Sequence, residues 1–162
     1  MRFPRFLLLA LLCFSSLLPR TLFAQGRLDA LQILEVLQTR CESGITYDGY
    51  VAALDEAQSQ LESFFNSKES ERNPEFSEKI ERALIAYQSA FVIWKSKLEY
   101  KQDFIRSDHP TIRTMFSVYP EAESLFSQNG QTSARNLISF LWDKADDRIA
   151  EAKKMITAKR KG

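Results

Sequence analysis

Glycine is scarce in this chain, five residues in 162, and so are proline at five, cysteine at two and histidine at one. So little glycine, with almost no alternation of period two, suits long helices rather than strands. Catalytic signatures are missing too. There is no Gly-x-Ser-x-Gly elbow, no His-Glu-x-x-His pair, no phosphate-cradling glycine loop and no Cys-x-x-Cys, so the common hydrolase, zinc-protease, nucleotide and redox chemistries have no motif to stand on. A nucleophile–base mechanism could use only His109, and Asp108-His109-Pro110 reads more simply as a turn in which Asp108 caps the helix that follows. A di-metal bundle wants Glu-x-x-His pairs, and covalent haem wants Cys-x-x-Cys-His; neither occurs. No cofactor is expected, and a cofactor-carrying bundle or an unrecognised hydrolase stands as the alternative to a binding module.

Long hydrophobic runs are also lacking. The longest, residues 6–18, has 13 residues before Pro19-Arg20, too few for a helix to cross about 30 Å of hydrocarbon, which takes roughly 20. What is there instead is a leader. Arg2 and Arg5 precede the run and Ala24 stands before Gln25, the pattern of a secretory signal peptide over residues 1–24. Leu22 is larger than the residue usual three before a cut. Cys13 follows Leu12, where lipid attachment would want a small residue, and so serves as one more apolar residue of the run. The expectation is an exported protein, periplasmic or secreted, with no stable membrane anchor after cleavage.

Residues 25–162 suffice for one domain. The leader takes three of the 22 basic residues and none of the 21 acidic ones, leaving 19 against 21 and a net charge of −2. That argues against a general nucleic-acid binder, which needs many cationic contacts to displace counterions. Cys41 is then the one remaining cysteine, so no intrachain disulfide can form. It ends a stripe of Leu28, Leu31, Leu34 and Leu37 and reads as a small core residue.

Apolar residues recur at three- and four-residue steps through most of this remainder. A first helix spans about 27–42 and stops at Gly44; Thr46 or Asp48 caps a second to about Phe65, with Tyr50, Val51, Leu54, Ala57, Leu61 and Phe64 on one face. Residues 66–73 are polar and aperiodic and are expected to be the main flexible connection. Asn73-Pro74 opens a long helix to about Arg106. One or two short helices follow between Pro110 and Phe126, and Thr132 or Ser133 caps a last helix through Ile156. The expected fold is all-α, a bundle of about four main helices with a short helical insertion.

Charge is uneven along the chain. Between Glu42 and Glu81 ten acidic residues face Lys68, Arg72 and Lys79, and Lys153, Lys154, Lys159, Arg160 and Lys161 crowd the other end. Lacking calcium-loop spacing, the first reads as a solvated face; the second suits a helix C-terminus.

The segment Gly44-Ile45-Thr46-Tyr47-Asp48-Gly49-Tyr50, with Leu54, Ala57, Tyr87 and Trp94 after it, resembles segments of small exported bacterial proteins without assigned activity. The resemblance implies an exported helical domain and transfers no active site. An aromatic staple around a helix start accounts for Tyr47 and Tyr50 equally well.

The candidate functional surface is the back of the long helix. With Tyr87, Phe91, Trp94 and Leu98 as its front at about 100° per residue, Ile85, Val92, Ile93 and Tyr100 fall behind, around Ser89 and Ser96. Either another helix of the bundle covers this seam or it is a groove for a protein partner or a second copy of the chain.

Overall fold

The computed structural model describes the backbone of residues 18–158 and the side chains of residues 26–158. The charged start and nearly all of the apolar run of the expected leader lie outside the described residues. Among the described residues no helix is long and apolar enough to cross a membrane.

The fold is all-α apart from one very small sheet. Helix α1 (Leu18–Glu42) ends at Gly44, whose φ of +84° is available to glycine without a Cβ clash. Helix α2 (Tyr47–Phe65) starts at Thr46, whose side chain accepts a hydrogen bond from the Gly49 N–H. Helix α3 (Lys68–Arg72) leads into the long α4 (Pro74–Tyr100). Strand β1 (Phe104–Arg106), helix α5 (Pro110–Val118), a 3₁₀ helix (Pro120–Leu125) and strand β2 (Gln131–Ser133) then precede α6 (Ala134–Ala158).

Four long helices, α1, α2, α4 and α6, run alternately up and down and close a ring. Contacts at successive levels fix their antiparallel sense: Lys79 with Glu151, Tyr87 with Asp146 and Trp94 with Trp142 between α4 and α6, Phe64 with Phe76, Gln58 with Gln88 and Tyr50 with Trp94 between α2 and α4, and Glu35 with Lys153 and Gln38 with Asp146 between α1 and α6. The α4–α6 interface is the most extensive, and fully buried alanines line it from both sides: Ala83, Ala86 and Ala90 on α4, Ala145 and Ala152 on α6. Small side chains let two backbones approach, with Leu137, Leu141 and Ile80 filling the flanks. The β1-to-β2 insertion lies against α6, with Tyr119 edge-on to Phe140 and Lys144 bonded to Glu121.

Three expectations need correction. Residues 66–73 are not a loose connection but contain α3. Ser67 caps it, Glu69 is buried with Arg27 Nε 2.7 Å from its carboxylate, and the Asn73 amide donates to the Glu69 carbonyl. Polar contacts hold this turn, and hydrophobic periodicity cannot register them. Helix α4 stops at Tyr100 rather than near Arg106, because Lys101 turns left-handed at φ +51° and the Gln102 N–H closes on the Lys97 carbonyl. The segment beyond it becomes a strand: Phe104, Ile105 and Arg106 pair antiparallel with Ser133, Thr132 and Gln131. Asp108, finally, does not cap α5; both its oxygens bind the Arg106 guanidinium at 3.0 Å, and His109 occupies the cap position without a side-chain bond. Ser133, by contrast, accepts from the Asn136 N–H at the start of α6.

Candidate functional site

Two places in the bundle concentrate polar and aromatic chemistry. At the waist, Tyr50 and Tyr87 are fully buried. The Tyr50 hydroxyl donates to the Tyr87 carbonyl at 2.8 Å and accepts from Trp142 Nε1 at 3.1 Å; the Tyr87 hydroxyl donates to Asp146 Oδ1 at 3.1 Å. Trp94 packs against Tyr50, Tyr47 and Trp142 with ring centroids 5.6 to 6.0 Å apart. Burial pushes both tyrosine hydroxyls far above their ordinary range and raises the Asp146 carboxyl, opposed there by hydrogen bonds from Tyr87 and Gln38. It also pushes the buried Cys41 thiol up to about 12, out of the range in which a thiolate forms at neutral pH. Among the described residues no group of three or more His, Cys, Asp or Glu is arranged to hold a metal ion. The waist is a packed and hydrogen-bonded core.

The second place is the tip of α4. A cavity of about 310 Å³ opens between the last turns of α4, β1 and the start of α5. Ile93, Ser96, Lys97 and Tyr100 line it from α4, Phe104, Ile105 and Arg106 from β1, and His109 and Thr111 from the start of α5. Helix α4 supplies its residues at three- and four-residue steps, which is one face; the left-handed turn at Lys101 swings β1 across that face instead of continuing the helix past it. Tyr100 is 67 % exposed and Phe104 63 %, so two aromatic rings stand in solvent around the opening.

The lysine and the arginine that line the opening are both paired. Lys97 meets Asp103 at 2.9 Å, and the Arg106 guanidinium beside Asp108 holds that carboxyl below its ordinary range. The lining therefore offers apolar surface more than an unpaired charge for a ligand to seek. A groove of equal volume between α1 and α2 is bridged by the Arg40–Glu56 ion pair and has no aromatic lining.

The structure divides the seam expected behind α4. Ile93 and Tyr100 line the cavity, Tyr100 at its open side and Ile93 buried at 3 % exposure. Val92, 41 % exposed, lies outside it, and Ile85, 40 % exposed, lines a different shallow groove beside Gln58, Phe65 and Gln88. Successive residues of a helix point about 100° apart, so Val92 and Ile93 cannot share one narrow face. Ile93 continues the buried row of Ala86 and Ala90, whereas Val92 sits with Ile85 on the outer side. Leu98 on the expected front is exposed. Phe104 and Arg106 were not among the expected site residues. A break in helical period after Tyr100 would have pointed to them, but Phe104 and Ile105 fall at i+4 and i+5 and mimic another turn.

The chain matches no family model, no curated protein and no solved structure.

Proposed function

We propose that this chain is an exported helical bundle acting as a binding module for a partner polypeptide, with the cavity at the tip of α4 as its contact surface. The observation that carries the reading is the pair of aromatic rings, Tyr100 and Phe104, held in solvent around an apolar concavity floored by Ile93. Exposed aromatics cost solvation and are the side chains that anchor interfaces best, because they bury much area with few rotors to freeze. The bundle below needs neither ring for its own packing. Export rests on Arg2 and Arg5, the apolar run after them and Ala24 before Gln25.

Site-specific photocrosslinking in cells tests the surface. A benzophenone amino acid at Tyr100 should yield one discrete adduct, one at Lys154 near the end of α6 should yield none, and Phe104→Ala should suppress the first. Equal labelling from both sites, or no adduct at Tyr100, overturns the reading. Mass spectrometry of the exported protein should give a chain beginning at Gln25; retention of residues 1–24 overturns the cleaved leader.

A further inference from the structure

The small sheet has two edges, and they differ. Hydrogen bonds from the Ala134 N–H to the Asp103 carbonyl at 2.8 Å and from the Ser107 N–H to the Gly130 carbonyl at 2.9 Å flank the Ile105–Thr132 pair. In an antiparallel ladder the bonded pairs alternate, so Asp103, Ile105 and Ser107 turn their main chain toward β2. Phe104 and Arg106 turn theirs away. On the far side of β2 the edge is occupied, since the main-chain N–H and the hydroxyl of Ser127 both donate to the Gln131 carbonyl. On the far side of β1 the Arg106 carbonyl alone has a partner among the described residues, the His109 N–H at 3.2 Å. Among the described residues the Phe104 N–H and carbonyl and the Arg106 N–H have none.

Natural edge strands are commonly blunted by proline, lysine or a bulge. Here the outward positions carry an aromatic ring and an arginine already bound to Asp108. An unpaired donor–acceptor–donor series at strand spacing is matched in full by another extended main chain, and a cavity beside it selects a side chain.

We propose that β1 is a docking edge for an extended segment of a partner polypeptide, which adds as a third strand on Phe104 and Arg106 and places one large apolar side chain in the cavity between Ile93 and Tyr100. The proposal rests on the contact surface given above and names what that surface holds. A lining whose cations, Lys97 and Arg106, are both in ion pairs favours an apolar over an anionic segment. Three main-chain bonds over a three-residue edge suit a short linear segment, whose affinity comes from its apolar anchor and whose register comes from the bonds.

The probe is a random dodecapeptide library displayed on phage and selected on the full chain, with Phe104→Pro as counter-selection. Proline at this outward position deletes the edge N–H while leaving the Ile105–Thr132 pair intact. The selected peptides are expected to share one large apolar residue and to slow amide hydrogen exchange at Phe104 and Arg106. They should lose at least tenfold in affinity when N-methylated at alternate residues of one parity only. Phe104→Val, which keeps the N–H, should bind more tightly than Phe104→Pro. Peptides that need Tyr100 but leave both amides unprotected, and that tolerate N-methylation at either parity, would overturn strand addition while sparing the contact surface. Binding indifferent to both Tyr100→Ala and Phe104→Pro would overturn both. Protection that appears without peptide and rises with protein concentration would assign the edge to a second copy and overturn the partner; failure to enrich any peptide over the counter-selection overturns the proposal outright.

Discussion

At the waist of the bundle Tyr50, Tyr87, Trp142 and Asp146 satisfy one another's hydrogen bonds inside a shell of rings, whereas at the tip Tyr100 and Phe104 face solvent and β1 keeps main-chain groups unpaired. Both regions are rich in aromatics and lie within a few helical turns on α4. They differ in whether each polar group finds its partner within the chain. A closed set of bonds in a low-dielectric interior holds a unique packing but offers nothing to a ligand. An open set adds little to stability and is available for recognition. Aromatic content alone would not have separated them.

Substitutions should break that comparison on one side only. The largest effect is expected from Tyr50→Ala, which empties a fully buried site and leaves Trp142 Nε1 without its acceptor. A loss of about 3–5 kcal/mol in urea unfolding follows from the volume alone, against less than about 0.5 kcal/mol for Tyr100→Ala at the exposed tip. Equal losses would erase the distinction between waist and tip. Next comes Glu69→Ala, which strips the partner from Arg27 in a pair whose side chains are 8 % and 16 % exposed. About 3 kcal/mol is expected, the lower end for breaking a buried pair, while Lys97→Ala at the rim should change stability by under about 1 kcal/mol.

A gain should come from Thr132→Val. The Thr132 hydroxyl is buried in β2 without a hydrogen-bond partner, so an isosteric methyl removes a desolvation penalty and should raise stability by about 1 kcal/mol. A loss would mean that this hydroxyl is bonded after all. The smallest effect concerns Asp146. Its folded-state pKa is raised, burial being the main cause, so as pH falls the folded chain takes up this proton before the unfolded one does. Stability relative to Asp146→Asn should therefore rise as pH drops from the raised value toward the ordinary carboxylate range, and then level off. Urea unfolding of both proteins across that window reads the difference, in which Glu151, whose pKa is lowered, cancels because both proteins carry it. A difference that falls with acidification contradicts the assignment.

The four long helices were legible because each buries one apolar stripe and begins or ends at a residue with a physical reason to be there: Thr46, Gly44, Pro74 and Ser133. Helix α3 was not, since an ion pair and an amide hold it and neither leaves a periodic trace. The end of α4 was hidden by Lys101, a non-glycine residue in a left-handed turn, which only the surrounding contacts can impose. Half of the candidate site suffered the same fate. Ile93 and Tyr100 belong to a helix face that spacing reveals, but Phe104 and Arg106 enter the site through a strand whose partner, β2, lies some 25 residues further on. Pairings at such separation are topology, and local pattern does not contain them.

The up-and-down order of the ring has a consequence for how the chain acquires its structure. Helices α1 and α2, and then α2 and α4, meet as neighbours along the chain, and contacts so local form quickly. The closing helix α6 alone brings Trp142 and Asp146 to the two tyrosines, and the same approach brings β2 to β1. Until the 25 residues of α6 are in place, a chain folding from its N-terminus has an open-sided bundle of three helices with two tyrosine hydroxyls still wet. Completion of the interior and pairing of β1 with β2 are one late event, so the open edge of β1 is held in place only in chains that have finished folding.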